Sequence, residues 1–404
     1  MSVLDDVREE LARLRDAGLE RGLRTVGSRQ GPEIEVGGRT LLNVCSNDYL
    51  SLAGHPQVIA AAQEAEAKYG AGAGAARLIV GNFAPHAELE DELRTFLKEG
   101  ARGPDVLLFS SGYHANLGTL PTLATEGDLL VSDKFNHASL IDGARLSRAD
   151  VGVFAHGDLH AVERALSRAR VRRRVIVTES LFSMDGDLAD LAGLYEIAKR
   201  FDAFLYVDEA HAIGVLGPEG RGACAAAGIP ADDPNVIRMA TLGKAFGSYG
   251  AFIAAAPEIV SLLRSRSRGF IFTTGTPPSA AAAATEAIRV TRREPERRTG
   301  LLRRSAALRA MLAAQGWALG PACAQIVPLL LGDAQATMDA SRWLFEQGVY
   351  CQGIRPPTVA PGTCRLRVSM TAGHTDAHLT RLVRLLETVA TTHAAARKTA
   401  SGVG

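Results

Sequence analysis

Lys244 is the residue of this sequence whose surroundings point most directly to chemistry. It is one of six lysines among 404 residues, and it lies in the segment Thr241-Leu242-Gly243-Lys244-Ala245-Phe246-Gly247. Small neighbours let a planar ligand approach the backbone. Desolvation near other positive groups lowers the pKa of a lysine from about 10.4 toward a nucleophilic range. A surface lysine in a glycine-containing loop is the structural alternative.

Asp208 follows the short apolar run Phe204-Leu205-Tyr206-Val207. Such a run is typical of a buried parallel strand, which carries functional groups at its carboxyl end. Asp208 would then reach a ligand crevice, although a helix N-cap is the simpler interpretation. His211, three residues later, could donate a hydrogen bond to a ligand oxygen, or it could be a structural histidine.

An amine and a carboxylate in this order are what pyridoxal phosphate requires. The amine holds the cofactor aldehyde as a Schiff base, and the carboxylate keeps the pyridine nitrogen protonated so that the ring accepts electrons. We therefore predict a pyridoxal phosphate site built on Lys244 and Asp208, with His211 at the phenolic oxygen.

Seven segments of the chain, in order, resemble the α-oxoamine synthase family over nearly the whole sequence. They are Ser46-Asn47-Asp48-Tyr49-Leu50, Ser111-Gly112-Tyr113, Asn136-His137-Ala138-Ser139, Phe182-Ser183-Met184-Asp185-Gly186-Asp187, Asp208-Glu209-Ala210-His211, Thr241-Leu242-Gly243-Lys244 and Ile354-Arg355-Pro356-Pro357-Thr358. The resemblance implies an α/β fold of the PLP-dependent aminotransferase-like type (fold type I). This fold has a mostly parallel seven-stranded sheet flanked by helices and a smaller α+β C-terminal domain. It also implies an acyltransferase that joins an amino acid to an acyl thioester and releases carbon dioxide and the free thiol.

The resemblance extends the set of cofactor residues. It implies that Gly112 and Tyr113 offer backbone amides to the phosphate at the start of a helix. It places His137 on the face of the cofactor ring, where it could also polarise the thioester carbonyl. The remaining implied contacts are Ser183 at the phenolic oxygen, Thr241 at the phosphate, and Thr273 and Thr274 at the phosphate of a partner subunit. We therefore expect a homodimer with shared active sites.

The amino-acid carboxylate needs a fixed cation, and Arg365-Leu366-Arg367-Val368-Ser369 has the alternation of a strand. The resemblance selects Arg367, with Arg365 as the structural alternative because residues two apart share a face. It also implies that Asn47 assists at the carboxylate and that Arg21 and Thr358 contact the acyl substrate.

The last motif, continued by Gly362-Thr363-Cys364-Arg365-Leu366-Arg367, is similar to the branch that condenses L-alanine with a pimeloyl thioester in biotin synthesis. The acyl donor in that branch is pimeloyl-CoA or pimeloyl-acyl carrier protein. The relative that uses succinyl-CoA holds the succinate with a threonine and an asparagine, where this chain has Ala76 and Leu78. Siblings that use glycine or serine remain alternatives, as does a non-catalytic partner subunit, which typically lacks the lysine.

Composition limits the other possibilities. The formal net charge of +1 gives no attraction to nucleic acid, and 47% hydrophobic residues can supply a core. Five cysteines without metal or disulfide spacing predict no metal and a reducing, cytoplasmic location. The sequence has no membrane-length apolar run, and its acidic start does not resemble a secretion signal.

The pattern also divides the chain. We expect an N-terminal helix from Leu4 to Arg24 within a segment 1–45 that belongs partly to the small domain. Short strands alternate with helices over 46–290, which indicates a large cofactor-binding α/β domain. Residues 291–390 would form the small α+β domain, and 391–404 a frayed tail.

Overall fold

The computed structural model describes residues 2–101 and 103–393. Its helices are α1 (Val3–Asp16), α2 (Pro56–Tyr69), α3 (Ala84–Leu97), α4 (Gly112–Leu123), α5 (Ala138–Leu146), α6 (Leu159–Arg168), α7 (Leu191–Arg200), α8 (Ala223–Ala226), α9 (Pro257–Arg266), α10 (Arg268–Ile271), α11 (Pro278–Arg293), α12 (Pro295–Ala314), α13 (Ala334–Glu346) and α14 (Asp376–Thr392). Its strands are β1 (Glu33–Val36), β2 (Arg39–Asn43), β3 (Asp105–Phe109), β4 (Leu129–Asp133), β5 (Asp150–Phe154), β6 (Arg174–Glu179), β7 (Phe204–Asp208), β8 (Val236–Thr241), β9 (Ala251–Ala255), β10 (Ile326–Gly332), β11 (Val349–Tyr350), β12 (Gln352–Ile354) and β13 (Cys364–Ser369).

A seven-stranded sheet lies at the centre of the chain in the order β3-β9-β8-β7-β6-β4-β5. Strand β9 runs antiparallel to both of its neighbours, and the other pairs are parallel. The carboxyl ends of the parallel strands therefore meet at one edge of the sheet, which is where ligands bind in open α/β sheets. The expected mostly parallel seven-stranded fold is confirmed.

Alternate residues of the six strands from β3 to β4 in this order enter different cores, so both faces of this part of the sheet are covered. On β7, Leu205 and Val207 belong to one buried cluster, whereas Tyr206 belongs to the other. Strand β6 has the same alternation, with Ile176 in the first cluster and Val175 in the second. A strand that is buried on both faces reads as a continuous apolar run, which explains the composition of these segments.

Two helices begin at the carboxyl ends of strands and point their first turns at this edge. Ser111 caps α4 by accepting a hydrogen bond from the backbone N–H of His114 at 3.2 Å. His137 caps α5 through Nδ1, which accepts from the backbone N–H of Ser139 at 3.2 Å. The two caps fix the residues at which α4 and α5 begin. In α4 the backbone N–H groups of Gly112 and Tyr113 stay free for a ligand.

Two small sheets lie outside the central one. Strand β13 is the middle strand of the sheet β10-β13-β12, and Arg367 on it lies opposite Pro328 and Gln352. Strand β2 pairs in parallel with β11, where Leu42 lies opposite Val349. Residues of the first 45 thus pack with strands of the C-terminal part of the chain.

The first helix is shorter than the sequence suggested. We expected it to run from Leu4 to Arg24, but α1 ends at Asp16. Gly18 follows with φ of +66°, a left-handed conformation that ends the helix and that glycine adopts without steric cost. The sequence also predicted helices over residues 191–200 and 278–292, and α7 and α11 lie within one residue of these limits. Of the expected frayed tail, residues 394–404 lie outside the described part of the chain.

Candidate active site

Six of the residues singled out from the sequence line one crevice with Lys244 at the carboxyl edge of the central sheet. They come from α4, the loop before α5, and the ends of β7 and β8: Gly112, Tyr113, His137, Asp208, His211 and Thr241. The crevice has a volume of about 190 Å³. Segments that are far apart in sequence meet here because parallel strands end at the same edge.

Lys244 extends into this crevice and contacts His211. Its Nζ lies 2.8 Å from Nε2 of the imidazole. Burial lowers the pKa of Lys244 to about 8, although the carboxylates of Asp208 and Glu179 act in the opposite direction. Burial also holds the pKa of His211 well below its usual range, so the imidazole is neutral. A free amine of this kind is a competent nucleophile and base near neutral pH.

Asp208 is buried at the end of β7 with its carboxylate oriented by two donors. The backbone N–H of Ala210 donates to Oδ1 at 2.9 Å, and the side-chain amide of Asn116 donates to Oδ2 at 3.0 Å. Tyr206 fixes that amide by donating to its oxygen at 2.7 Å. Burial raises the pKa of Asp208 above its ordinary value, and the nearby Lys244 opposes this rise. A cationic ring nitrogen beside Asp208 would favour the ionised form.

His137 is exposed at the mouth of the crevice. Its Nδ1 lies 2.8 Å from the hydroxyl of Ser139, which also accepts from Asn116 at 2.8 Å. Partial desolvation lowers the pKa of His137, and the charge of Lys244 acts in the same direction. The ring is therefore neutral, held on one edge, and free to stack on a planar ligand.

The opposite end of the crevice is suited to an anion. Gly112 and Tyr113 form the first turn of the 12-residue helix α4, where backbone N–H groups have no partner within the helix. A Cβ at Gly112 would lie 3.4 Å from Met239, so the glycine faces the β8 side chains at van der Waals distance. The hydroxyl of Thr241 accepts from the backbone N–H of Gly243 at 3.2 Å and faces the same space.

Arg367 and Asn47 lie together beside this crevice. Arg367 donates to the carbonyl of Ser183 at 2.6 Å, to Oδ1 of Asn47 at 3.3 Å and to the hydroxyl of Ser369 at 2.8 Å. None of these partners is a carboxylate. Arg365 instead donates to the carboxylate of Asp185 and to the carbonyl of Met184. This difference favours Arg367 over the alternative Arg365 as the cation for a substrate carboxylate.

Thr273 and Thr274 line a different cleft from Lys244. They line this cleft with Arg77, Phe109 and Phe270, and Thr274 forms a bridge with Ala76. Neither threonine is among the residues that line the crevice of Lys244. This placement is what a contact to the partner subunit's cofactor would require.

Arg21 and Thr358 are both exposed and belong to neighbouring segments. Arg355, three residues before Thr358, donates to the carbonyl of Gly18 at 3.0 Å and to that of Glu20 at 3.4 Å. The N-terminal segment that carries Arg21 is thereby held against the segment that carries Thr358. The structure thus brings the two predicted acyl contacts to one side of the molecule.

The sequence profile of the aminotransferase class I and II family matches residues 39–386. The chain is 45% identical over 386 residues to the 8-amino-7-oxononanoate synthase of Anaeromyxobacter dehalogenans, with 96% of each chain covered. It is 44% identical over 388 residues to the enzyme of the same name from Herminiimonas arsenicoxydans, covering 95% of this chain and 99% of the relative. The chain belongs to the 8-amino-7-oxononanoate synthase family. Within the described residues, none of the helices of this family member is long and apolar enough to span a bilayer.

Solved structures extend the comparison. A serine palmitoyltransferase from S. paucimobilis with bound PLP-myriocin has a TM-score of 0.89 at 30% identity and covers 98% of this chain and 100% of that one. The 8-amino-7-oxononanoate synthase from Francisella tularensis has a TM-score of 0.75 at 27% identity, covering 88% of this chain and 99% of that one. The predicted family resemblance, fold type and pyridoxal phosphate dependence are confirmed.

The residues of this 8-amino-7-oxononanoate synthase family member fit pyridoxal phosphate. Lys244 supplies an amine of lowered pKa, Asp208 a buried carboxylate, and the first turn of α4 unpartnered amides at the far end of one crevice. Gly112 adds no side chain at the end where the phosphate would lie. These groups would hold the aldehyde carbon, the ring nitrogen and the phosphate respectively.

Sequence reasoning missed Glu179, which ends β6 directly opposite Asp208 of β7. Its carboxyl group is buried and accepts hydrogen bonds from the backbone N–H groups of His137 and Ser183. Burial, with the charge of Asp208, raises the pKa of Glu179 to about 8. The sequence does contain a pattern that indicates Glu179, because this acid lies two residues after the apolar run Val175-Ile176-Val177.

His156 was missed as well. Its Nε2 lies 2.7 Å from a carboxylate oxygen of Asp187, and its Nδ1 lies 3.1 Å from both oxygens of Asp133. These two carboxylates raise the pKa of His156 to about 10. The ring also stacks on Phe135, with centroids 4.7 Å apart. The cation therefore ties the loop that leads to His137 to the loop that carries Ser183.

Proposed function

We propose that this protein condenses L-alanine with a pimeloyl thioester and releases 8-amino-7-oxononanoate, carbon dioxide and the free thiol, a step of biotin synthesis. The observation that carries this proposal is the placement of Arg367, which has no carboxylate partner among its hydrogen bonds, beside the crevice that holds Lys244. Similarity over 96% of the chain to an 8-amino-7-oxononanoate synthase supports the same function.

Lys244 is the residue that we propose as the base. When bound, pyridoxal phosphate supplies an electron sink that stabilises negative charge at the α-carbon of the amino acid. Because the pKa of Lys244 is about 8, its amine is partly unprotonated near neutral pH and can take the α-proton and later return one. Its Nζ lies within 2.8 Å of His211, which keeps the amine oriented between these transfers.

Asp208, His137 and Ser183 complete the catalytic side of the proposal. Asp208, fixed by Asn116 and Ala210, would hold the ring nitrogen in its protonated form. His137, neutral and at the crevice mouth, would stack on the ring and polarise the thioester carbonyl. The Ser183 hydroxyl and Nε2 of His211 would hold the phenolic oxygen.

Arg367 and Asn47 would bind the alanine carboxylate. A guanidinium presents paired N–H groups that match a carboxylate, and Asn47 keeps its oxygen toward Arg367, which turns its amide hydrogens away. Arg21 and Thr358 would contact the acyl chain. Ala76 and Leu78 offer no hydrogen bond to a short diacid, which supports a longer aliphatic acyl group.

We also propose that the functional unit is a homodimer. Thr273 and Thr274 line a cleft other than that of their own Lys244, and the family resemblance assigns them to the phosphate of a partner subunit. Large apolar side chains cluster around them: Leu78, Ile79 and Val80 are 49%, 74% and 74% exposed, and Phe272 is 72% exposed. The two segments are neighbours, since Gly275 donates to the carbonyl of Ala75 at 2.9 Å. Exposed apolar surface of this kind marks an interface.

We propose a cytoplasmic location because the cysteines form no disulfide bonds. Cys45, Cys224, Cys323, Cys351 and Cys364 are all free thiols. Free, mostly buried thiols are typical of proteins from a reducing compartment.

A serine palmitoyltransferase-like activity is the second candidate, because the solved structures with TM-scores of 0.89 and 0.90 carry that name. Their identities of 30% and 29% are lower than the 45% of the 8-amino-7-oxononanoate synthases. Substrate choice depends on residues in the site and not on the fold, so the sequence similarity has more weight.

The deciding experiment measures thiol release by the cofactor-loaded protein from a panel of thioesters. Pimeloyl-CoA, pimeloyl-acyl carrier protein, acetyl-CoA and palmitoyl-CoA are each paired with L-alanine, glycine and L-serine. We expect release with L-alanine and a pimeloyl donor. Release only from palmitoyl-CoA with L-serine, or only from acetyl-CoA with glycine, would contradict the proposal and identify a sibling activity.

A further inference from the structure

Tyr49 connects the two ends of the proposed site. The tyrosine is fully buried, and its hydroxyl lies 2.6 Å from Nδ1 of His211 and 3.1 Å from Oδ1 of Asn47. Beyond His211, Nε2 is 2.8 Å from Nζ of Lys244, and beyond Asn47, Oδ1 is 3.3 Å from Nη1 of Arg367. A continuous chain of hydrogen bonds therefore runs from the lysine to the arginine.

The hydroxyl of Tyr49 has a single proton for two acceptors. Burial raises the pKa of Tyr49, so it remains a phenol, and burial keeps the imidazole of His211 neutral by lowering its pKa. A neutral imidazole carries a proton on one nitrogen only, and an amide oxygen always accepts. The proton of Tyr49 can thus go to Nδ1 of His211 or to Oδ1 of Asn47, but not to both.

The direction of the Tyr49 hydrogen bond determines the directions of the other hydrogen bonds between Lys244 and Arg367. If Tyr49 donates to Asn47, Nδ1 of His211 must donate to Tyr49, and Nε2 is left as an acceptor for the Lys244 ammonium. If Tyr49 donates to His211, Nε2 carries the proton and can donate into the crevice, as a ligand oxygen there requires. In that second state Oδ1 of Asn47 keeps Arg367 as a donor but loses Tyr49.

We propose that Tyr49 is a positioning residue whose one hydroxyl proton couples the tautomer of His211 at the lysine to the orientation of the Asn47 amide at the arginine. The proposal rests on the function proposed above. Its consequence is that the amino-acid carboxylate end of the site responds to the state of Lys244 although the two do not touch.

The other groups near the Tyr49 hydroxyl do not change the two possible acceptors for its proton. Arg367 and Gln325 also approach the Tyr49 hydroxyl, and Gln325 donates its amide to the carbonyl of His211 at 2.8 Å. The charges that act on His211 are those of Lys244, Arg367 and His137, all cationic when protonated. These neighbouring charges favour a neutral His211 imidazole, so the number of protons that Tyr49 and His211 share stays constant.

The test uses Tyr49→Phe, which keeps the ring and removes the hydroxyl, with Tyr195→Phe as the matched control. Tyr195 lies on α7, where its hydroxyl donates to Asp233 at 2.6 Å, outside the crevice. Protein labelled with ¹⁵N-histidine is compared by NMR before and after pyridoxal phosphate is added. In the wild type and in Y195F we expect the His211 shifts to report opposite tautomers in the two states. In Y49F the cofactor-loaded protein should lose its preference for the protonated Nε2.

Kinetics supply the second arm. We expect Y49F to raise the KM for the amino acid by about 5- to 10-fold, as the loss of one buried hydrogen bond does, with the KM for the thioester unchanged. In a double-mutant cycle with Asn47→Ala, the two KM effects should be less than additive, because both remove the same coupling. Asn47→Ala alone should also move the His211 shifts, although Asn47 does not contact His211.

The outcomes separate this proposal from the proposed reaction. Unchanged His211 shifts in both Y49F and N47A would overturn the coupling, whatever the activity. Strictly additive KM effects would overturn it as well. If none of the thioesters supports turnover, the proposed reaction fails, while the NMR arm, which requires only the protein and its cofactor, still decides the role of Tyr49.

Discussion

Arg365 and Arg367 lie two residues apart on one face of β13, and a carboxylate neutralises only the first. Arg365 is paired with Asp185, whereas Arg367 donates to Ser183, Asn47 and Ser369 without meeting an acid. A cation that is held in place by neutral groups beside a crevice is ready for an anionic ligand.

The first prediction follows from this difference. Arg367→Ala should raise the KM for the amino acid roughly 10- to 150-fold, because a hydrogen bond to a charged group contributes about 1.5–3 kcal/mol. Arg365→Ala is the control and should lower the free energy of unfolding by about 1–3 kcal/mol instead. Steady-state kinetics at saturating thioester and urea denaturation separate the two effects. An equal rise in KM for R365A would restore Arg365 as the carboxylate ligand.

The second prediction concerns the protonation of Lys244. Because burial lowers its pKa to about 8, its reactive amine fraction should rise through pH 8 in the cofactor-free protein. Competitive acetylation with trace acetic anhydride, read by mass spectrometry between pH 6 and pH 11, measures this directly. The exposed Lys199 is the internal reference, and a midpoint for Lys244 near the ordinary 10.5 contradicts the assignment.

The third prediction concerns Glu179 and the stability of the cofactor-free protein. Its folded pKa of about 8 lies above the ordinary 4.5, so the folded chain binds a proton that the unfolded chain has released. The stability that this proton contributes is complete below pH 4.5 and is lost as pH rises through 8. Glu179→Gln should therefore unfold at higher urea than the wild type at pH 8.5 and show a flatter pH profile. Parallel profiles for the two proteins would show that Glu179 is ionised throughout.

The fourth prediction concerns His156, whose folded pKa of about 10 lies above the ordinary 6.5. Its contribution to stability is complete below pH 6.5 and disappears as pH rises through 10. His156→Asn should lower the free energy of unfolding by about 3 kcal/mol at pH 6, since it leaves Asp133 and Asp187 without their cation, and by much less near pH 10. Urea denaturation at several pH values measures the difference.

His160→Asn is the matched control for this variant, because His160 is exposed on α6. It should follow the wild type at every pH. A constant deficit for H156N from pH 6 to pH 10 would mean that the ring acts by packing on Phe135 and not by its charge.

The fifth prediction tests the homodimer. Ile79→Lys together with Phe272→Lys should convert the protein to a monomer in sedimentation velocity, because two charges would have to be desolvated in the interface. The control is Val153→Lys on the edge strand β5, where the side chain is also 67% exposed. The monomeric variant should bind pyridoxal phosphate more weakly if Thr273 and Thr274 serve the partner. A monomeric wild type would refute the proposal outright.

The sequence predicted the crevice well because its residues follow strands. Asp208 and Thr241 end β7 and β8, and Gly112 and His137 follow β3 and β4. The carboxyl ends of parallel strands converge, so residues at these positions could be expected together once the sheet was recognised. The remaining predicted site residues came from the family resemblance.

Other features depended on contacts that the sequence does not display. Asn116 lies inside α4, and its role becomes clear only when its side-chain amide is seen between Asp208 and Tyr206. The two carboxylates that hold His156 come from distant segments, since Asp133 ends β4 and Asp187 lies in the loop after β6. The end of α1 was misjudged because helical periodicity continues past Gly18, whereas the backbone there turns left-handed.

The residues that line the crevice all come from positions 112 to 244, whereas the proposed carboxylate site joins Asn47, Ser183 and Arg367. During synthesis on the ribosome, every lining residue is therefore made well before Arg367. Strand β9 lies between β3 and β8 in the central sheet, so the crevice that joins Gly112 to Thr241 can close only after β9 has been made. Arg367, the proposed cation for the amino acid, is therefore the last of the proposed site residues to be made.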